Sequence, residues 1–191
     1  PVAALIDPDT LTTLPDRYIT DGMGEVIKYG CIKDAAFFDF LENGDALDHI
    51  EDVIETCVSI KRDVVSRDER EKGERMLLNF GHTMAHSIEK LSNFEISHGS
   101  AVAIGMVIAA KAGAMLGFSN EDCTAAIIEA NKNNNLPCEC TFAPEALADA
   151  ALSDKKRAGD SITFVFPRKK GECFLQKLSV NEIYKIAECV L

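Results

Sequence analysis

Positive charge is in short supply in this 191-residue chain: 20 Lys and Arg stand against 31 Asp and Glu, for a net charge of −11. That balance counts against nucleic acid and anionic membrane surfaces as partners, because both reward a basic face. It leaves anionic small molecules open, since basic residues gather at Lys28, Lys61, Arg62, Arg75 and the run Asp154-Lys155-Lys156-Arg157. Long apolar runs are lacking as well. The longest, Ala101 to Leu116, is interrupted by Lys111 and reads as too short to span a bilayer. No secretory leader is expected, and a first residue of Pro rather than Met fits a piece of something longer. Paired-cysteine spacing of the zinc-finger kind is missing. Seven cysteines, an odd number, therefore predict reduced thiols in a cytoplasmic protein, and Cys138-Glu139-Cys140 reads as a loop.

Several catalytic signatures are also wanting. No Gly-x-Gly-x-x-Gly follows a strand, and Gly22-Met23-Gly24 sits in a helical stretch without a third glycine, so it is no dinucleotide loop. No Ser or Cys has a recognisable base or elbow around it. What the chain does have is helical periodicity. Helices are expected from Asp16 or Thr20 through Tyr29, over Asp34–Asn43 ending at Gly44, over Ile50–Val65, and from His98 to Gly117. Further ones are expected from Ser119 or Asn120 to the Asn-rich stretch before Pro137, from Pro144 to near Ala150, and over Val180–Val190. Only Ser161–Phe166 and Cys173–Leu178 read as strands, joined as a hairpin across Pro167–Gly171. The fold class is mainly α, a helical bundle with a small C-terminal β-hairpin.

One helix carries an unusual face. At about 100° per residue, Arg75, Asn79, His82 and His86 form one polar stripe opposite Leu77, Phe80, Met84, Ile88 and Leu91. Ordinary amphipathic helices show Lys and Glu to water; Arg, Asn and His suit anions, sugars and metals. His98 follows, so three of the four histidines fall between positions 82 and 98. The His82/His86 spacing of four lets both rings reach one ion. Thr83 stands where a metalloprotease helix carries its glutamate base. Taken singly, each histidine reads more simply as hydrogen-bonded core or surface. Glu25, in an otherwise apolar helix, is the best distant carboxylate, or a plain ion pair with Lys28 one turn on. Spacing leaves these alternatives open. Arg75 can clamp a carboxylate or phosphate bidentately.

The motifs Gly22-Met-Gly-Glu25-Val-Ile-Lys28-Tyr-Gly30, Asp68-Glu-Arg-Glu71, Arg75-Met-Leu-Leu-Asn79-Phe-Gly-His82-Thr-Met-Ala-His86-Ser-Ile-Glu89, and His98-Gly-Ser-Ala-Val-Ala-Ile-Gly-Met106 resemble signatures of the 3-dehydroquinate synthase family. Asp154-Lys155-Lys156 before Ile162–Val165 resembles its last shared motif. Gly24 and Ser100 depart from it, standing where Ala and Glu are usual. The resemblance covers essentially the whole chain, but only the helical C-terminal half of such an enzyme. It implies one metal- and substrate-binding domain over residues 1–191, of which 1–15 lead out of an absent NAD-binding domain.

The resemblance further implies a metal, Zn2+ or Co2+, bound by Glu25, His82 and His98, with His86 facing substrate instead. Lys28, Lys61 and Arg75 match positions that hold the substrate's carboxylate and hydroxyls. Asn79, His86 and one of Lys155 and Lys156, taken as Lys156, match positions near its phosphate. Thr10, Leu11 and Thr13 match contacts to NAD+. The implied reaction converts a seven-carbon keto-acid sugar phosphate (3-deoxy-D-arabino-heptulosonate 7-phosphate) into 3-dehydroquinate and phosphate, with NAD+ recycled. It is a carbon–oxygen lyase of the shikimate pathway, feeding chorismate and aromatic amino acid biosynthesis. The alternatives are a sister cyclase making 2-deoxy-scyllo-inosose or epi-valiolone, or a silent metal-binding or dimerising fragment. The partners expected are the anionic sugar phosphate, the missing NAD-binding half and a second copy of the chain as a homodimer.

Overall fold

The computed structural model describes residues 2–155 and 161–190, and it is mainly helical with one antiparallel hairpin. Lys156 lies outside the described residues. The helices are α1 Asp16–Lys33, α2 Ala35–Glu42, α3 Ile50–Arg67, α4 His82–Leu91, α5 His98–Met115, α6 Thr124–Asn133, α7 Pro144–Lys155 and α8 Val180–Ala187. The strands are β1 Ser161–Lys169 and β2 Glu172–Ser179.

The organising element is α5. Its small residues, Gly99, Ala101, Ala103, Gly105, Ala109 and Ala110 among them, are buried around the whole circumference. Small side chains let neighbours approach on every side, and α1, α4 and α6 all pack on it. With 18 residues it is long and apolar enough by composition to cross a bilayer, contrary to the length argument from sequence; 72% of it is instead buried within the chain. A helix apolar all round is a core helix when protein surrounds it. Its one cation, Lys111, donates to the Val190 carbonyl at 3.2 Å.

The hairpin closes the core from the C-terminal side. Ile162, Phe164 and Phe166 alternate inward, paired with Leu178, Gln176 and Phe174 respectively. β1 runs past Pro167 to Lys169, beyond the expected turn, because Pro is tolerated at the irregularity in register between Pro167 and Lys169. α6 begins at Thr124 rather than Ser119 or Asn120. Ser119 Oγ is spent on the Pro167 carbonyl at 2.6 Å and the Asn120 amide on Arg168 at 2.9 Å. Asp122 caps Thr124 instead, at 2.9 Å. α8 starts in a Ser179/Glu182 capping box and stops at Ala187, short of Val190.

The largest departure concerns the polar stripe. Residues 75–86 are not one helix: Glu74–Asn79 is a 3-10 turn, and α4 begins only at His82. Gly81, at φ +78°, breaks the two apart. A Cβ there would also sit 2.8–2.9 Å from Met106 and the Val102 carbonyl of α5. Leu77, Phe80, Met84 and Ile88 still reach the core. Glu74 takes bonds from Lys33 and Arg67, so the turn is tied to α1 and α3.

Candidate metal and anion site

Two helices cross at backbone contact to bring the first ligands together. A Cβ on Gly24 of α1 would lie 2.3 Å from the Gly99 carbonyl of α5, and one on Gly99 would lie 1.7 Å from the Asp21 carbonyl. Neither position has room for a methyl. Asp21 secures the crossing: its Oδ1 accepts from the amides of Gly99 at 2.7 Å and Ser100 at 3.2 Å. Those are two of the otherwise orphaned N–H groups at the start of α5. One turn after Asp21 comes Glu25, and one residue before Gly99 comes His98.

Glu25 Oε1 therefore lies 3.3 Å from His82 Nε2 and 3.6 Å from His98 Nε2. Each ring is fixed from behind. His82 Nδ1 meets the Phe80 carbonyl at 3.0 Å, and His98 Nδ1 meets Glu89 Oε1 at 3.1 Å. A carbonyl and an ionised carboxylate only accept, which assigns the Nδ1 proton in each neutral ring and leaves its Nε2 with the lone pair. The break at Gly81 frees the Phe80 carbonyl for this use. Three acceptors thus converge on one point, and Glu25 Oε1, sealed from solvent, has no hydrogen-bond partner. A cation resolves that conflict. Two ligand atoms about 2.0–2.2 Å from a tetrahedral zinc stand roughly 3.3–3.6 Å apart, the spacing observed here. Among the described residues, Glu25, His82 and His98 are the group whose ligand atoms come close enough for one ion.

The other Glu25 oxygen, Oε2, accepts from Lys28 Nζ at 2.6 Å, and the lysine side chain is only 3% exposed. Burial alone raises the Glu25 carboxyl, yet the His82 ring and the Lys28 ammonium outweigh it and hold the pKa near 2. The part contributed by His82 calls for a second ring proton; a cation between the two supplies the same attraction without one. Burial, opposed by Glu25 but reinforced by Lys61, lowers the Lys28 pKa.

The residues expected to meet an anion sit more openly. A cleft of about 760 Å³ runs from the 68–79 segment past His82 and His86 to β1, with Glu71 and Asn79 on its wall. The His86 ring centroid is 5.8 Å from that of His82 and 6.5 Å from that of His98. His86 therefore flanks the trio without joining it, and the His82/His86 pairing allowed by spacing is not the one the fold brings to a point. Asn79 donates to Glu71 Oε1 at 2.9 Å. Arg75 donates from its guanidinium to the Glu69 carbonyl at 2.7 Å, and its amide to Asp68 at 3.1 Å. Lys61 is exposed on α3. Thr10, Leu11 and Thr13 lie in a largely exposed 3-10 turn, Pro8–Thr13; Leu11 faces an apolar groove between α1 and α3.

Sequence reasoning gave no role to Asp21, Glu71 or Glu89. Asp21 and Glu25 are four apart on α1, so helical spacing alone puts Asp21 beside that candidate ligand; Glu89 meets His98 only because α4 packs on α5. Glu71 stands in the left-handed region at φ +54°, a strained setting for a non-glycine residue and common at functional sites.

Residues 22–157 match the family model described as 3-dehydroquinate synthase C-terminal. The 3-dehydroquinate synthase of Clostridium acetobutylicum is 40% identical over 196 residues, covering 100% of this chain and 55% of the relative. That of Clostridium beijerinckii is 44% identical over 188 residues, covering 95% and 53%. The chain thus spans about half the length of the curated relatives it matches. Among solved structures, 2-epi-5-epi-valiolone synthase from Streptomyces hygroscopicus subsp. jinggangensis 5008, with NAD+ and Zn2+ bound, superposes with a TM-score of 0.81 at 26% identity, covering 95% of this chain and 53% of that one. A 2-deoxy-scyllo-inosose synthase, complexed with carbaglucose-6-phosphate, NAD+ and Co2+, gives 0.79 at 25%, covering 97% and 55%.

Proposed function

Because this chain belongs to the 3-dehydroquinate synthase C-terminal family, we propose that it is the metal- and substrate-binding half of a 3-dehydroquinate synthase. The observation that carries the reading is the convergence of Glu25 Oε1 and two imidazole Nε2 atoms at 3.3 and 3.6 Å. Three protein ligands with positions left for substrate are the pattern of catalytic zinc. A divalent ion there supplies Lewis-acid polarisation of a substrate hydroxyl, and NAD+, reached from this half by Thr10, Leu11 and Thr13, supplies a hydride acceptor.

The chain's own groups bind and orient. Lys28, buried against Glu25, presents a fixed positive charge beside the metal position. Lys61 and Arg75 hold the substrate's carboxylate and hydroxyls, with the planar guanidinium suited to two parallel bonds. Asn79, His86 and Lys156 hold its phosphate, whose oxygens take the proton in the elimination. Holding both ends of the substrate is the main catalytic contribution of such residues. The seven unpaired thiols support a reducing, cytoplasmic setting, and a homodimer belongs to the same reading.

The sister-cyclase alternative draws on the two solved neighbours, but the 40–44% identity to 3-dehydroquinate synthases favours the first. The test is a chimera joining this chain to the amino-terminal half of the Clostridium acetobutylicum relative. Phosphate release from 3-deoxy-D-arabino-heptulosonate 7-phosphate, with none from glucose 6-phosphate, is expected. A folded, zinc-loaded chimera with the opposite preference contradicts the substrate assignment.

A further inference from the structure

The two histidines are backed by chemically different groups. His82 leans on a neutral backbone carbonyl, while His98 leans on the carboxylate of Glu89. Glu89 is only 13% exposed and His98 42%, so the charged partner backs the ligand with the weaker packing around it. Glu89 sits on α4, the helix that begins with His82, whereas His98 begins α5. The Glu89–His98 contact therefore bridges the two ligand-bearing helices. An acceptor at Nδ1 leaves Nε2 as the free lone pair and stops the ring from turning about its Cβ–Cγ bond. A carboxylate in that place also raises the basicity of the ligating nitrogen.

We propose that Glu89 is a positioning residue for the metal site, holding His98 in the ligating tautomer and orientation and strengthening its bond to the cation. The proposal rests on the metal reading above. It assigns Glu89 no contact with substrate. Losing such a partner typically weakens metal binding 10- to 100-fold.

The test is a titration of the full 191-residue chain with Co2+, following the visible d–d absorption, and with Zn2+ in competition against a chromophoric chelator. The variants are Glu89→Gln, Glu89→Ala and Glu95→Ala. Glu95 is an exposed carboxylate close in sequence, and its removal changes net charge equally without touching a ligand. Glu89→Ala is expected to raise both dissociation constants about 10- to 100-fold and to alter the cobalt spectrum. Glu89→Gln, which keeps an acceptor oxygen but no charge, falls between that variant and the parent, while Glu95→Ala matches the parent. If Glu89→Ala does not fold, a Glu89→Gln affinity equal to the parent's overturns the proposal and a weakened one supports it. Parental affinity in Glu89→Ala, or equal weakening in Glu95→Ala, overturns the role of Glu89 alone. Failure of the parent itself to take up either metal overturns the metal reading and this proposal together.

Discussion

Glu25, His82 and His98 lie where helices meet backbone to backbone, whereas Arg75 and Asn79 stand on a connector tied down mainly by side chains, and Lys61 and His86 are exposed on helix surfaces. On the metal side, Gly24 meets Gly99 and Asp21 caps α5, so the ligand spacing follows from how closely two helices cross. On the anion side, Asn79 and Arg75 depend on the 68–79 connector, through Glu71, Asp68 and the Glu69 carbonyl. The difference suits the two jobs proposed for these residues. A metal site needs ligands fixed to a few tenths of an ångström. An anion-binding wall must admit and release a substrate, and long cationic side chains do so at little structural cost.

The sharpest way to break this contrast is Gly99→Ala. Its Cβ has no space against the Asp21 carbonyl, so α1 and α5 must part, costing about 1–3 kcal/mol or more and separating Glu25 from His98. Thermal melts and zinc content should fall together; an unchanged melt with full metal would show that the crossing is soft. Asp21→Ala comes next, with about 1 kcal/mol expected from the lost cap and a weaker metal site. Arg75→Ala should instead leave metal content and melting temperature near the parent's, yet weaken substrate binding by about 1.5–3 kcal/mol as a lost charge-assisted bond. The KM of the chimera reads this directly, and metal loss in that variant would erase the distinction between the two sides.

The smallest expected effect is on pH dependence. Glu25 in the folded, metal-free chain titrates near 2 against an ordinary 4.5. Its ionised form thus contributes stability that is complete above pH 4.5 and lost as the pH falls toward 2. Glu25→Gln lacks that contribution throughout, so the stability gap between it and the parent should shrink over the same interval. A gap constant across it would contradict the lowered pKa.

The helices and the hairpin were legible because apolar spacing, caps and turn residues agree locally. So was the polar composition of residues 75–86, but not its shape. A uniform helical period hides the left-handed turn at Gly81, whose need becomes visible only when Met106 and Val102 of α5 lie against it. Spacing likewise gave His82 with His86 as much claim to an ion as His82 with Glu25. The choice depends on the long-range Gly24–Gly99 crossing, which no local period encodes. Motif resemblance supplied Glu25, His82 and His98 as a set, and the fold puts their ligand atoms together.

The most direct test of the central claim is metal content of the purified chain, beside Glu25→Ala, His82→Ala, His98→Ala and His86→Ala. About one zinc per chain is expected, lost in the first three variants and kept in the fourth. Zinc retained in Glu25→Ala and His98→Ala but lost in His82→Ala and His86→Ala would contradict that claim.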